Sequence, residues 1–335
     1  GGVTTGMFTL QDLTISDDDN DPSYGIRVAN IAANLTVSNC SIVNAKAGGQ
    51  GIYLLNNTGT ETRNLTVTNS SITATSHCIY VDGAANVSIS GGSLTTSGSG
   101  TSCVLLGSII TGKAVISGVA MTSAADGYAV NTWNSGTGLT LFGDYLPYLE
   151  MSSCTGTVGN VIVVPSRVKR ALFSGNVMTS TLSASSPVHV GTEVTADDVL
   201  DSNPYPFDKW VIRNNTLTFS GANVTHMVFV GVGADNSDLI NNTLATTVST
   251  QDYGVVLKSD NLLVQGKRIM GAGTSLYISG SSNSRAINNT VYARTGTAVV
   301  IDSNQERTAG TDGTYGQCRR TELRDNVIVS ADGLP

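Results

Sequence analysis

An eight-residue pattern recurs along this chain and constrains its fold more than any other feature. It reads apolar, polar, apolar, polar, then Asn, Asp or Gly, two variable positions and a final apolar residue, as in residues 65–72. Further copies, some weaker, occupy residues 8–15, 35–42, 87–94, 114–121, 139–146, 171–178, 210–217, 237–244, 262–269, 284–291 and 321–328. The fifth residues are Asp12, Asn39, Asn69, Gly91, Gly118, Gly143, Gly175, Asn214, Asn241, Gly266, Asn288 and Asp325. These residue types enter the left-handed backbone region at least cost, so each octet predicts two strands joined by a one-residue corner.

A third strand is predicted between successive octets. Its three-residue segments are 26–28, 52–54, 79–81, 104–106, 130–132, 162–164, 188–190, 228–230, 255–257, 276–278 and 299–301, and both outer positions are aliphatic in almost every one. Because side chains alternate between the faces of a strand, the outer positions point into one core and the middle position points outward. Successive fifth residues lie between 22 residues (Asn69 to Gly91) and 39 residues (Gly175 to Asn214) apart. That spacing suits one coil of three short strands, so the octets predict a stack of about twelve coils.

Composition supports an all-β chain and excludes some functions. Only 13% of the 335 residues are charged, 37 are Gly, and β-branched residues are abundant. The net charge of −7 argues against a nucleic-acid partner, since phosphate binding needs clustered Lys and Arg. No apolar run approaches the roughly 20 residues of a membrane span. The five Cys have no metal-binding spacing, so we expect no metal and no cofactor.

The stacked octets resemble the right-handed parallel β-helix of pectate-lyase-like proteins and phage tailspikes, including their Asn-rich tight corner. The resemblance covers about residues 8–330 and implies an all-β, single-stranded, right-handed parallel β-helix of about twelve turns, forming one domain over residues 1–335. It does not imply one activity, because the fold hosts lyases, hydrolases, epimerases, adhesins and tailspikes. No capping segment is evident before residue 8 or after residue 328, so we expect a longer chain or partners that cover the ends.

Asparagine dominates the corner, and we expect it to be structural. Asn39, Asn69, Asn214, Asn241 and Asn288 are predicted to point inward and hydrogen-bond the backbone of adjacent coils. These five also belong to the ten Asn-X-Ser/Thr sequons, and an inward side chain has no room for a glycan. Asn56, Asn64 and Asn223 remain as acceptors.

The chain departs from its rhythm at predicted loop insertions 147–160, 191–209 and 302–320. The last two leave the same corner and are expected to wall a groove over Phe229, Val256 and Tyr277. Cys78 and Cys103 occupy the same column one coil apart, which is compatible with either a disulfide or two stacked thiols.

The outward middle column of the third strand is unusually apolar. It contains Arg27, Tyr53, Tyr80, Leu105, Asn131, Val163, His189, Phe229, Val256, Tyr277 and Val300. An exposed apolar stripe usually marks an interface. One interpretation is a sugar-binding platform of Tyr53 with Tyr80 or Phe229 with Tyr277. The others are a lateral contact between chains, as in trimeric tailspikes, and a column covered by loops.

Catalytic signals are weak. The Gly-His-Gly segment of polygalacturonase-type hydrolases is missing. The best carboxylate cluster is Asp302 and Glu306 with Arg307, facing Asp208 and its neighbours Asp197, Asp198 and Asp201 across the expected groove. Two carboxylates about 5–9 Å apart suit glycoside hydrolysis. The acidic run 17–21 lacks the Gly and closing Glu of a calcium loop, which favours a solvated turn.

These observations together predict an extracellular recognition rod. We expect it to bind cell-surface polysaccharide, as does a phage tailspike, a tail fibre or a surface adhesin, on the virion surface or outside the cell. A homotrimer would accompany the tailspike role. The alternatives are a polysaccharide lyase or glycoside hydrolase, and a structural spacer in an appendage.

Overall fold

The computed structural model describes residues 6–17, 23–29, 33–55, 63–107, 110–132, 146–160, 162–164, 168–181, 187–190, 209–221, 226–231, 234–247, 253–302 and 318–331. The chain divides into two compact units, Gly1–Val168 (unit 1) and Lys169–Pro335 (unit 2). The described part of each unit consists of short strands joined by turns. No helix within these ranges is long and apolar enough to cross a membrane.

Unit 1 is a series of coils in which every third strand belongs to the same parallel sheet. Its strands are β1 (Gly6–Gln11), β2 (Thr14–Asp17), β3 (Tyr24–Ala29), β4 (Ala33–Ser38), β5 (Ser41–Asn44), β6 (Gln50–Leu55), β7 (Asn64–Thr68), β8 (Ser71–Ala74), β9 (Ile79–Asp82), β10 (Asn86–Ser90), β11 (Ser93–Thr96), β12 (Ser102–Leu106), β13 (Lys113–Ser117), β14 (Ala120–Ser123), β15 (Tyr128–Asn131), β16 (Leu146–Ser152), β17 (Thr155–Val158) and β18 (Val163–Val164). The first sheet takes β1 and every third strand after it, the second sheet starts at β2, and the third sheet starts at β3.

Unit 2 repeats this arrangement in the same order. Its strands are β19 (Val168–Ser174), β20 (Val177–Ser180), β21 (Val188–Val190), β22 (Lys209–Arg213), β23 (Thr216–Phe219), β24 (His226–Val230), β25 (Asp238–Ile240), β26 (Thr243–Thr246), β27 (Tyr253–Leu257), β28 (Leu263–Gln265), β29 (Arg268–Ala272), β30 (Thr274–Ser279), β31 (Arg285–Ile287), β32 (Thr290–Ala293), β33 (Val299–Asp302), β34 (Glu322–Arg324) and β35 (Val327–Ser330). Its first, second and third sheets start at β19, β20 and β21. The predicted all-β parallel β-helix of about twelve coils is therefore confirmed.

Like residues lie over one another in successive coils, as the octet predicts. Leu35 pairs with Leu65, and Val37 with Val67, in parallel register, and all four side chains are at most 2% exposed. The third sheet behaves in the same way, because Ile52 lies in register with Ile79. Full burial of such a side chain stabilises a fold by about 1.5–3 kcal/mol, so the repeated apolar columns supply the core.

The corner between the first and second sheets has the same form in every described coil. Two residues separate the strands each time, and the first has a positive φ, as in Asn69 at 48° and Asn241 at 52°. Eleven of the twelve predicted corner residues occupy this left-handed position: Asp12, Asn39, Asn69, Gly91, Gly118, Gly175, Asn214, Asn241, Gly266, Asn288 and Asp325. The prediction of a one-residue left-handed corner is confirmed at these positions.

The octet predicted at 139–146 is wrong. β13 pairs with β16 so that Ala114 lies opposite Leu149, and the left-handed corner of this coil is Ser153, with a φ of 55°, instead of Gly143. Residues 139–146 match the apolar alternation and carry Gly at the fifth position, which is a better match than the true octet. Serine adopts the left-handed conformation at an energetic cost, and it is not one of the residue types (Asn, Asp or Gly) from which the corners were predicted.

The same shift displaces two further predictions. Residues 147–160, expected as a loop insertion, instead contain β16 and β17. In the third sheet Val163 pairs with Val130, so it takes an inward position and is 1% exposed rather than outward. The other two insertions lie mostly outside the described residues.

The expectation that the corner asparagines point inward is also wrong. Asn39, Asn69, Asn214, Asn241 and Asn288 are all exposed. In nine of the twelve corners the buried side chain belongs to the second residue: Cys40, Ser70, Val119, Cys154, Asn176, Asn215, Asn242, Lys267 and Asn289. A left-handed residue turns the chain, so the in-and-out alternation of the strand does not continue through it. The corner therefore needs one residue for its conformation and another for its bonds.

Exposure of the corner removes the steric argument against glycans at those five sequons. Asn64, expected as an acceptor, instead lies in a row of outer amides, where its Nδ2 donates to Oδ1 of Asn34 at 3.1 Å. Its Oδ1 accepts from Nδ2 of Asn86 at 2.9 Å. Asn56 and Asn223 lie outside the described residues.

Cys78 and Cys103 are buried free thiols. Burial raises the pKa of the Cys78 thiol well above its ordinary value, and the adjacent Cys103 thiol adds to the shift. Of the two sequence interpretations, the structure contains the stacked thiols.

Candidate binding surface on the third sheet

The outer face of the third sheet in unit 1 carries a strip of rings, here called the tyrosine strip: Tyr24, Arg27, Tyr53, His77 and Tyr80. The rings of Tyr24 and Tyr53 are stacked, with centroids 4.8 Å apart and planes 10° apart. Tyr53 and Tyr80 follow at 5.0 Å with a 43° tilt, and His77 meets Tyr80 edge-on at 5.8 Å. The parallel register of β6 and β9 produces this order, because it places Tyr53 directly beside Tyr80.

Ring packing within the tyrosine strip changes what it can bind. Tyr24 already covers one face of Tyr53, and the tilted Tyr80 approaches from the other side. Such aromatic pairs contribute about 0.5–1.5 kcal/mol each to stability. The faces expected to stack on sugars are therefore used between neighbours, which leaves ring edges and hydroxyl groups for a ligand.

Charged groups border the tyrosine strip. The Arg27 guanidinium carbon lies 5.3 Å from the centroid of the Tyr24 ring, a cation–π distance, and Arg27 is exposed. Burial, and then the negative charge of Asp82, raise the pKa of Tyr80 to about 12. Its phenol therefore stays protonated and available as a donor at neutral pH.

His77 is held as a neutral ring at the edge of the strip. Its Nδ1 accepts a hydrogen bond from the backbone N–H of Ser102 at 3.0 Å, so the ring proton of the neutral form lies on Nε2. Burial lowers the pKa of His77.

Unit 2 carries a second set of rings on the outer face of its own third sheet, here called the histidine strip: His189, His226, Phe229, Tyr253 and Tyr277. His189 and His226 both contact Phe229, with centroids 4.7 Å and 5.1 Å away. His226 stacks on Tyr253 at 5.5 Å, and Tyr253 meets Tyr277 at 5.1 Å. Two of the three histidines in the chain are thus gathered around one phenyl ring.

Ionisable groups lie beside the histidine strip, at Tyr277 and at Phe229. The Tyr277 hydroxyl donates to Oδ2 of Asp302 at 3.0 Å, and Nζ of Lys258 lies 5.4 Å from the Phe229 centroid. Burial lowers the pKa of His226 to about 4, and the charges of Lys258 and His189 add to the shift. His226 is therefore a neutral imidazole at pH 7 that can accept a proton, and the tyrosine hydroxyls can donate one.

The predicted substrate-binding residues differ in exposure. Tyr53, Tyr80 and Tyr277 are partly exposed. Phe229 and Val256 are at most 1% exposed, so neither side chain is presented to solvent. The prediction that Phe229, Val256 and Tyr277 lie in register in one column is correct. The prediction that Phe229 is exposed for a ligand to contact is wrong.

The candidate catalytic residues are only partly placed. Asp302 lies at the end of β33 and accepts a hydrogen bond from Tyr277. Glu306, Asp208 and most of the two long insertions lie outside the described residues, as do residues 18–21 of the acidic run. Among the described residues, no three His, Cys, Asp or Glu side chains form a group that could hold a metal ion.

Sequence reasoning missed four ring residues of the strips. Tyr24, His77, His226 and Tyr253 each stand three positions before a residue of the outward column. The third strand begins before the three-residue segment used to align it, as β24 (His226–Val230) and β27 (Tyr253–Leu257) show. A second column of rings at that offset was the signal that identifies them.

Comparisons of this chain with protein-family models, with curated proteins and with solved structures found no match.

Proposed function

We propose that this chain is an extracellular recognition rod that binds cell-surface polysaccharide through the outer face of its third sheet. The tyrosine strip carries the proposal, since three tyrosines in ring contact, Tyr24, Tyr53 and Tyr80, follow one another along successive coils. A polysaccharide also repeats along its length, so the spacing of about 4.8 Å between parallel strands offers one set of contacts per coil. We further propose the tailspike-like or pectate-lyase-like relationship that the octets suggest, and a location on a virion or outside the cell.

The strip is suited to hydrogen bonding more than to ring stacking. The tyrosine faces are used between neighbours, so sugar hydroxyls would meet phenol hydroxyls and the exposed Arg27. Each such hydrogen bond contributes about 0.5–1.5 kcal/mol net. Useful affinity then needs several coils at once, which an extended glycan can provide.

An array of cell-surface polysaccharides tests the proposal, followed by titration of any polysaccharide that binds. Tyr53→Ala with Tyr80→Ala should weaken binding about tenfold or more, the equivalent of roughly two hydrogen bonds. Tyr53→Phe with Tyr80→Phe should have much of that effect, because it removes only the outward hydroxyls. The control is Tyr292→Ala, which alters a partly exposed tyrosine of the second sheet.

Three results would decide against this function. They are an array without any bound polysaccharide, an unchanged affinity in the double alanine variant, and an equal loss in the Tyr292 control. The first would favour the spacer role.

A second candidate function is a polysaccharide lyase or glycoside hydrolase. One observation favours it: the histidine strip combines a neutral His226 with the Tyr277–Asp302 hydrogen bond. Proton transfer by positioned side chains is what both reactions require. Sugar release from the bound polysaccharide should fall at least about a hundredfold in His226→Gln or Asp302→Asn if the strip is catalytic. Unchanged release would remove this candidate.

Assembly distinguishes the tailspike and adhesin roles. Light scattering that gives three chains per particle would support the homotrimer proposed for a tailspike. One chain per particle would support an adhesin or a secreted enzyme.

A further inference from the structure

The inward residues of the unit 2 corners form a row of amides with a repeated pattern of bonds. Oδ1 of Asn215 accepts the backbone N–H of Asn176 at 2.9 Å, and its Nδ2 donates to the carbonyl of Phe173 at 2.9 Å. Asn242 repeats this pattern with Asn215 at 3.1 Å and Ile212 at 2.7 Å. Each amide thus satisfies one donor and one acceptor of the coil before it.

Asn289 and Asn326 continue the row farther along unit 2. Oδ1 of Asn289 accepts the backbone N–H of Lys267 at 2.9 Å, and its Nδ2 donates to the carbonyl of Val264 at 3.0 Å. Asn326 makes the equivalent bonds to Asn289 and to Ala286, at 2.9 Å and 2.8 Å. The pattern therefore holds on both sides of Lys267.

Lys267 occupies the place of one amide in this row. It follows the left-handed Gly266 and is 1% exposed. Lysine has no acceptor, so it cannot receive the backbone N–H of Asn242 as an asparagine would. Its own Nζ is buried without a hydrogen-bond partner. This corner of the described row thus lacks the pairing that its neighbours have.

Among the described residues that flank Lys267, none supplies a compensating charge. The inward side chains of the flanking strands are Leu239, Leu244, Val264, Ile269, Ala286 and Val291. The ionisable residues of those strands lie on the outer face: Asp238, which pairs with Lys209 at 2.6 Å, the exposed Arg268 and Arg285, and the partly exposed Tyr292. Burial alone lowers the pKa of Lys267 to about 7.

We propose that the corner at Gly266–Lys267 is a proton-sensitive opening point of unit 2, which opens more readily than the equivalent Asn corners and exposes the Lys267 amine to water. Opening relieves two costs at once, the unpaired amine in the core and the missing acceptor for Asn242. The neighbouring Asn corners incur neither cost.

The direction of the proton effect follows from linkage. The open state exposes an amine with the ordinary value of 10.5, whereas the closed state has a value of about 7. Between these two values the open state binds more protons, so the opening constant rises about tenfold for each unit that the pH falls. Below pH 7 both states are protonated and the opening constant becomes constant.

Hydrogen exchange measured by mass spectrometry tests the proposal on the whole chain. Peptides over 262–272 are compared with peptides over the equivalent coil, 284–294, from pH 6 to pH 9, after correction for intrinsic exchange rates. We expect residues 262–272 to open more often at pH 7 than residues 284–294. We also expect an opening constant that falls about fiftyfold between pH 7 and pH 9.

Three variants separate the causes. Lys267→Asn restores the amide that the row lacks at this corner. It should lower the opening constant of residues 262–272 and remove its pH dependence. Lys267→Met removes the titrating amine without supplying an acceptor for the Asn242 N–H. The pH dependence should therefore disappear, while the opening constant stays higher than in Lys267→Asn. Asn289→Lys should transfer the behaviour to residues 284–294.

Equal, pH-independent opening of the two peptides in the unaltered chain would overturn the proposal. So would an unchanged pH dependence in Lys267→Met, because another group would then be responsible. Both of these results are obtained without the Asn289→Lys variant, so the test stands even if that variant does not fold.

Discussion

The Oδ1 atom of Asn215 accepts two hydrogen bonds from Asn176, one from its backbone N–H and one from its Nδ2, both at 2.9 Å. Both side chains are at most 1% exposed. A buried amide thus joins two consecutive coils at a corner where the strands themselves leave backbone groups unpaired.

Replacing Asn215 with Leu should destabilise the fold by about 2–6 kcal/mol, since it removes partners from the Asn176 N–H and the Phe173 carbonyl, each costing about 1–3 kcal/mol. Urea denaturation measures the loss. The control is Asn214→Gly, one residue earlier, which alters an exposed left-handed residue with a φ of 56°. A control loss as large as that of Asn215→Leu would contradict the division of roles between the two corner residues.

The left-handed corner predicts opposite results for two substitutions at Asn69. Asn69→Gly should leave the free energy of unfolding within about 0.5 kcal/mol, because glycine adopts the φ of 48° without strain. Asn69→Val should lower it by about 1–2 kcal/mol, because a β-branched side chain clashes in that region. Thermal unfolding of both variants makes the comparison. Equal melting temperatures would mean that backbone conformation does not limit this corner.

Stability should decrease as the pH falls from 6.5 to 4. The pKa of His226 is about 4 in the fold, below its ordinary value of 6.5, so the unfolded chain binds more protons within that window. The contribution of neutral His226 to the free energy of unfolding is fully present above pH 6.5. About 2–3 kcal/mol of that free energy is lost by pH 4. His77, whose pKa burial also lowers, acts in the same direction. Urea denaturation at pH 7 and pH 4.5 measures the change.

His226→Phe isolates the contribution of His226 to that change. The variant keeps a ring against Phe229 and Tyr253 but does not titrate, so its loss of stability between pH 7 and pH 4.5 should be smaller. His77→Gln gives the share of the other histidine. If neither variant reduces the loss, carboxylates cause it.

Tyr80 should ionise later than an ordinary tyrosine. Its pKa is raised to about 12, first by burial and then by Asp82, so the folded chain should lose stability as the pH rises from 10 to 12. Ultraviolet absorbance of the phenolate follows the ionisation, and Tyr80→Phe identifies its component. Asp82→Asn should move that component to lower pH. An unshifted component in Asp82→Asn would leave burial, with the neighbouring Tyr53 and Tyr24, as the cause of the raised pKa.

Among the five cysteines, Cys318 should react first with a thiol reagent in the native state. Cys40, Cys78, Cys103 and Cys154 are buried, whereas Cys318 is partly exposed. Burial raises the pKa of Cys154 to about 11 and so suppresses its reactive thiolate. Mass spectrometry after brief labelling should find Cys318 modified. Prior modification of Cys78 or Cys103 would contradict the closed core.

The octet was sufficient to predict the fold because its signal has two independent parts. The alternation of Leu65 and Val67 predicted the inward columns, and Asn69 predicted the corner. The structure confirms both. The coil around Ser153 was not predicted, because serine does not indicate a corner in a sequence even though its backbone is left-handed there. A competing match nearby then displaced three linked predictions.

The candidate site was predictable only in part. Tyr53 and Tyr80 could be aligned from the repeat, and their rings do meet at 5.0 Å. The burial of Phe229 could not be read from the repeat, because it depends on how the His189 ring packs and on His226, which lies outside the aligned segment. Alternation predicts which face a side chain takes, but it does not predict what covers that face.

The corner of fixed length divides the coil into a part that resists insertion and a part that accepts it. Two residues join the first and second sheets in each described coil, whereas the connection from the third sheet to the next first sheet ranges from that between Asp82 and Asn86 to that between Asp302 and Glu322. Deleting one residue from this corner would leave a single residue where the coil needs two, an exposed one with the left-handed backbone and a buried one whose amide bonds the adjacent coil. Peptide grafting and natural diversification should therefore succeed best at the connection from the third sheet to the next first sheet, where new sequence can be added without disturbing the rows of bonds inside.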